Sequence, residues 1–159
     1  KEISEIMVSQ ADSRNVLVST FTGGIYKTSD QGDTWEDIGG NISDLKDADE
    51  FYSLIQSVDS GVVIGATSYG LLKSTDFGST WEPLELITSS GQVTIRAVGM
   101  DIDNPDILYY AANSTFYRSY DGGSTWDTER LGTSRVPRVM LVDPEDETVL
   151  YVGVASTIE

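Results

Sequence analysis

The 159 residues contain no cysteine and no histidine. Without cysteine there are no disulfides and no thiolate metal sites. Without histidine there is no imidazole general base, no Ser-His-Asp triad and no histidine-ligated zinc. An enzyme built from this chain has to work with carboxylates, tyrosine, arginine or lysine. Long apolar runs are missing too: none approaches the roughly 18 residues a membrane helix needs, and membrane insertion is not expected. No stretch carries a helical period of apolar residues. Basic residues are scarce, with 10 Lys and Arg against 26 Asp and Glu and a formal net charge of −16. That balance has the wrong sign for nucleic acid or an anionic membrane, since both require a basic footprint. It suits solubility, attraction of cations and a saline, extracellular or cell-surface setting. The chain opens on Lys1 rather than methionine and shows no signal peptide, which reads as a mature or trimmed segment.

An eight-residue motif occurs three times: TSDQGDTW from Thr28, STDFGSTW from Ser74 and SYDGGSTW from Ser119. The common pattern is [ST]-x-D-x-G-x-T-W, called the box below. Its aspartates stand at 30, 76 and 121, so successive boxes are 46 and 45 residues apart. A fixed period in the forties points to propeller blades of about four strands each. The repeat reaches upstream of the box, where GGIYKTSD, YGLLKSTD and STFYRSYD share a turn, apolar or aromatic residues and one basic residue. Further upstream lie the runs Val16-Leu17-Val18, Val62-Val63-Ile64 and Ile107-Leu108-Tyr109, with a fourth at Val149-Leu150-Tyr151. Small residues follow each run at Thr20, Ala66, Ala111 and Gly153, as strands crowding toward an axis would need.

The chemistry of the box is that of a tight hairpin. Asp30, Asp76 and Asp121 can accept backbone N–H groups of their own turn. Gly32, Gly78 and Gly123 supply a backbone conformation closed to other residues. Thr34, Thr80 and Thr125 can close the turn through their hydroxyls, and Trp35, Trp81 and Trp126 begin the next strand with a large apolar surface to bury. These residues are expected to be structural rather than catalytic.

The fold class expected is all-β, with about three and a half four-stranded antiparallel blades in one propeller segment spanning 1–159. The blades fall at roughly 1–40, 48–88 and 92–132, with a partial one at 136–159. Strands are expected near 3–9, 15–21, 24–28 and 34–38; 51–58, 61–67, 70–74 and 80–86; 93–101, 106–112, 115–119 and 125–130; and 136–142 with 148–154. Three and a half blades do not close a ring, so the segment reads as part of a larger propeller. The alternative is a unit that self-associates through its open sheet edges.

The boxes resemble the bacterial neuraminidase, or Asp-box, repeat. The longer pattern from Val142-Asp143-Pro144 through Val149-Leu150-Tyr151-Val152-Gly153 is similar to the sortilin-like, xyloglucanase-type and photosystem II stability/assembly factor branch of that superfamily. The resemblance implies a β-propeller, a fold that hosts both hydrolases and non-catalytic binders. Sialidases of this type carry an arginine in an [FY]-R-[IL]-P motif ahead of their boxes. Here Ser134-Arg135-Val136-Pro137 lacks the aromatic and follows all three boxes, which argues against that activity. Xyloglucanase-type hydrolysis would need two carboxylates across a cleft. Acids are plentiful at Asp44, Asp47, Asp49 and Glu50, at Asp101, Asp103 and Asp106, and at Glu145, Asp146 and Glu147, but no pair stands out as catalytic. The Asp101–Asp106 segment offers oxygens for calcium yet lacks the length and glycine of an EF-hand loop, and reads as an Asn-Pro turn.

Propeller geometry puts the boxes at one end of the strands and the remaining loops at the other. A ligand face there would draw on Phe21, Tyr69 and Phe116 from short loops and Arg130, Arg135 and Arg138 from a long one. The function expected is a non-catalytic scaffold that binds a protein or a glycan, with no cofactor, no metal and no catalytic residues assigned. Two alternatives stay open: part of a glycoside hydrolase, and a structural surface-protein subunit.

Overall fold

The computed structural model of the chain describes residues 2–146 and 148–156; Glu147 of the third acidic cluster lies outside them. Four antiparallel sheets follow one another in chain order. The first blade comprises β1 (Ile3–Val8), β2 (Val16–Thr20), β3 (Ile25–Thr28) and β4 (Glu36–Asp37). The second comprises β5 (Phe51–Gln56), β6 (Val63–Thr67), β7 (Leu71–Ser74) and β8 (Glu82–Pro83). The third comprises β9 (Ala97–Met100), β10 (Leu108–Ala112), β11 (Thr115–Ser119) and β12 (Asp127–Arg130), and the fourth holds β13 (Val136–Val142) and β14 (Leu150–Ala155). Within each sheet every strand pairs with its neighbour in sequence, so each blade is a simple meander. The first strands β1, β5, β9 and β13 contact one another in turn, and they form the inner wall from which the blades radiate. The chain is an all-β propeller segment.

Fourth strands are shorter than the sequence pattern implies, with two residues each in β4 and β8. Pro83 has no N–H with which to extend the ladder. Asp37 turns its carboxylate onto Gly39 N at 3.0 Å and leads into a single 3-10 turn at Gly40–Ile42.

The core lies between blades. Leu17, Ile25 and Ile38 of the first blade meet Phe51, Leu54, Val63, Leu72 and Trp81 of the second. Ile64, Ala66 and Leu71 on the other side of the second blade meet Val98, Met100, Leu108 and Tyr110 of the third. Adjacent residues Val63 and Ile64 thus serve different cores, as the period of two along a strand requires. Tyr109, Ala111 and Phe116 pack in turn on Met140, Val142, Leu150 and Val152 of the fourth blade.

The three box tryptophans occupy equivalent chain positions but differ in burial. Trp81 is wedged against the first blade and 2% exposed, with its ring edge-on to Phe51 at 5.8 Å. Trp126 is half-buried on the second blade and donates through Nε1 to Glu85 O at 3.0 Å. Trp35 is 46% exposed, since no blade precedes its own among the described residues, and its Nε1 donates to Gly32 O at 3.1 Å.

Candidate functional site

The boxes form three copies of one hydrogen-bonded turn. The threonine amide reaches the aspartate Oδ1 at 2.9 Å in Asp30, 2.8 Å in Asp76 and 2.8 Å in Asp121. The threonine hydroxyl donates to the other oxygen at 2.5, 2.8 and 2.6 Å. The hydroxyls of Thr28, Ser74 and Ser119 donate to the same aspartates and accept the amides of Gly32, Gly78 and Gly123. Two consecutive residues in each turn adopt positive φ: Gln31 and Gly32, Phe77 and Gly78, Gly122 and Gly123. Gly78 is constrained twice, because a Cβ there would also lie 2.8 Å from Leu17 Cδ2 of the first blade. The Asp30 carboxyl is held down at about 2, chiefly by the Thr28 hydroxyl, and Asp121 at about 2, chiefly by the Thr125 hydroxyl. Burial pushes Asp76 up, but the Thr80 amide, the Thr80 hydroxyl and Ser74 together hold it below the usual carboxylate range. These aspartates are saturated turn acceptors and offer little to a substrate.

The opposite end of the strands carries a different chemistry. Tyr52 and Arg96 stand at the entrances to the inner strands β5 and β9, with the Arg96 guanidinium 4.7 Å above the Tyr52 ring. Phe21 tilts against Tyr52 at 5.9 Å. Glu50 accepts the Ser68 hydroxyl at 2.6 Å and the Tyr52 hydroxyl at 3.3 Å. Ser68 and Thr94 are 3.4 Å apart through their hydroxyls. Arg96 Nε is buried and has no hydrogen-bond partner among the described residues. Beside it a cavity of about 260 Å³ is lined by Gln92, Thr94, Arg96, Asn113 and Pro137 among others. Of this cluster Arg96 and Thr94 line the cavity, which therefore offers a cation and a hydroxyl to an oxygen-rich group, while Tyr52 backs the guanidinium from the other side.

The six residues expected on the ligand face do not come together but divide among four places. Phe21 belongs to the Tyr52–Arg96 cluster. Tyr69 is half-buried against the core between the first two blades. Phe116 lies within β11, stacked on Tyr109 at 5.7 Å, and with Arg130 it lines a groove on the far side of the third blade. Arg135 and Arg138 are exposed where the chain enters β13. Strand alternation decides the matter: Phe116 occupies the position of Ile25 and Leu71, both core residues.

Two of the clustered acids, Asp101 and Asp146, accept hydrogen bonds within their own turns. Asp101 Oδ1 accepts the amides of Asp103 and Asn104, and Asn104 accepts that of Asp106. Asp143 accepts Glu145 N, and Asp146 accepts both the amide and the hydroxyl of Thr148. Asp47 and Asp49 line a broad cleft of about 540 Å³ with Asp37 and Gly23. Among the described residues no three acidic side chains converge as metal ligands.

Sequence reasoning missed Arg96, Tyr52 and Glu5. Glu5 lies in β1, half-buried, and accepts Leu54 N at 2.6 Å across the first blade boundary. Burial pushes its carboxyl up, partly offset by that amide. The available signal was a polar residue inside an apolar strand pattern: Arg96 interrupts IRAVGM, and Glu5 interrupts ISEIMV.

No family model matches the chain, and no curated protein matches it. Solved structures do. An ancestral GH74 enzyme superposes with a TM-score of 0.75 at 16% identity, over 96% of this chain and 22% of that one. YCF48 bound to D1 peptide gives 0.61 at 16% identity, over 89% and 43%. The extracellular domain of a one-component system from B. thetaiotaomicron gives 0.69 at 14% identity, over 96% and 19%. The chain spans less than half the length of each of these proteins, and the likeness is one of fold.

Proposed function

We propose that the chain is an Asp-box propeller segment whose loop end binds a protein or glycan ligand without catalysing its turnover. The observation that carries this reading is Arg96. Its Nε is buried and without a hydrogen-bond partner among the described residues, while its guanidinium is stacked on Tyr52. A buried, unsatisfied donor is costly, and a carbonyl, carboxylate or sugar oxygen entering the cleft would relieve it. A structural neighbour that carries a bound peptide is consistent with a polypeptide ligand. The acidity of the chain and the neighbour that is an extracellular domain support an extracellular or cell-surface setting.

The second reading is that the chain forms part of a glycoside hydrolase. It draws on the GH74 neighbour and on Glu5, a carboxyl raised by burial as a general acid would be. One experiment separates the two. The protein is titrated against an oligosaccharide array and a peptide library, and incubated with a panel of aryl glycosides. Binding that Arg96→Ala or Tyr52→Ala abolishes, with no turnover, is the expected result. Turnover lost in Glu5→Gln would overturn the binding reading.

A further inference from the structure

The inner strands enter their blades through equivalent positions. Ser53, Ala97 and Val139 pair with the small residues Ala66, Ala111 and Gly153 on the strand beside them. Immediately ahead of these pairs stand Tyr52, Arg96 and Arg138, and the register slips by a residue at Tyr52 and at Arg138. Such bulges re-aim a side chain. Two positions before Tyr52 and Arg96 stand Glu50 and Thr94, and two positions after Ala66 and Ala111 stand Ser68 and Asn113. The second and third blades therefore repeat one loop-end site with different side chains.

The second blade satisfies its own site. Glu50 accepts the Ser68 hydroxyl at 2.6 Å and the Tyr52 hydroxyl at 3.3 Å, so one carboxylate closes the network. The third blade lacks that acid: Thr94 stands for Glu50, Asn113 for Ser68 and Arg96 for Tyr52. The cavity of about 260 Å³ lies at this second version of the site, and Val136 and Pro137 of the fourth blade form its other wall. Among the described residues that line it, none carries a carboxylate. Arg96 Nε is buried there without a hydrogen-bond partner among the described residues. A guanidinium thus stands where the repeat has given up its acceptor.

We infer that this cavity holds the carboxylate of a uronic acid at the end of a glycan, which rests on the binding role proposed for the loop end. The second blade shows the completed form of the site, a carboxylate oxygen accepting from a hydroxyl and from the residue at the strand entrance. At the third blade the ligand supplies that carboxylate, accepting from Arg96 Nε and the Thr94 hydroxyl. The Nε edge of a guanidinium matches a planar carboxylate. The rest of the cavity selects what carries it. The space is smaller than the roughly 300–1,000 Å³ of drug-sized sites and suits a single sugar ring. The side-chain amides of Gln92 and Asn113 both donate and accept, as ring hydroxyls require, and Val136 and Pro137 meet a C–H face. An apolar peptide terminus would leave those amides without partners.

The test titrates the full chain with methyl β-glucuronide and reads binding by saturation-transfer NMR. Methyl β-glucoside is the neutral control and N-acetylalanine the peptide-terminus control. The glucuronide should bind at least about tenfold more tightly than the glucoside, the gain expected of one charge-assisted hydrogen bond. Thr94→Glu returns the acid of the second blade to the third, and should abolish glucuronide binding while the near-UV circular dichroism stays unchanged. Should that variant fail to fold, Asn113→Asp, at the exposed tip of the hairpin between β10 and β11, carries the comparison. No saturable glucuronide binding, equal binding of the two sugars, or binding that survives the added acid overturns the inference. So does tighter binding of N-acetylalanine, because the occupant would then be a peptide terminus. Neutral oligosaccharides or peptides whose binding is lost in Arg96→Ala would keep the loop-end reading standing where this inference has failed.

Discussion

The Lys27 ammonium of the first blade donates to the Ser79 hydroxyl in the box of the second at 2.7 Å. The bond joins residues 52 apart in sequence, and it makes the box an inter-blade joint as well as a turn. The Lys27 stem also brings the ammonium within 5.6 Å of the Phe77 ring. Lys27→Met keeps the stem and removes the donor, and should lower stability by about 0.5–1.5 kcal/mol. Urea denaturation of Lys27→Met, Ser79→Ala and the double variant checks it. Strict additivity of the two changes would show that the bond contributes nothing.

Asp76→Ala removes the acceptor of the Thr80 amide and hydroxyl. A loss of about 1–2 kcal/mol is expected, toward the low end because water reaches the turn. Asp49→Ala is the control: an acid outside the boxes, where no comparable change is expected. Thermal melts that fail to distinguish the two variants would remove the structural role assigned to the box aspartate.

The tryptophans should rank by burial. Trp81→Ala opens the core between two blades and should cost about 3–5 kcal/mol. Trp35→Ala, at a side chain nearly half exposed, should cost less than about 1 kcal/mol. Equal losses in denaturant titrations would mean that Trp35 is covered in solution.

Stability should fall in acid through the boxes. Asp30 and Asp121 stand at about 2 in the fold against 3.8 for a free carboxyl. The unfolded chain therefore takes up these protons first. Their contribution is complete above about pH 4 and is lost as pH falls through 3.8 toward 2. Asp121→Asn should show a shallower decline of Tm between pH 5 and pH 2 than the parent chain, and identical slopes would argue against it.

Glu5 has the opposite sign. Its carboxyl is raised in the fold by burial, so the fold favours the protonated form. The favourable contribution is present below the unfolded value of 4.5 and lost as pH rises through the folded one. Glu5→Gln should raise Tm at pH 7, and its advantage should shrink on acidification toward pH 4. A constant difference across that range would exclude titration as the cause.

The sequence by itself determined the blades and the box turns. Hairpin order follows from the repeat, although β4, β8 and β9 are shorter than the pattern implies, and the roles of aspartate, glycine and threonine in the turn follow from groups within eight residues of one another, whose hydrogen bonds are closed locally. Only the tertiary structure decided what those elements meet. Three identical tryptophans differ in burial because a neighbouring blade, some 45 residues away, is present for two of them. Phe116 became a groove residue rather than a loop-end one because its strand register turns it outward with Tyr109. Arg96 met Tyr52, and Glu5 met the Leu54 amide, because inner strands from consecutive blades lie side by side. Local patterning fixes which atoms a turn can satisfy, while the packing of one sheet on the next fixes which charges remain without a partner.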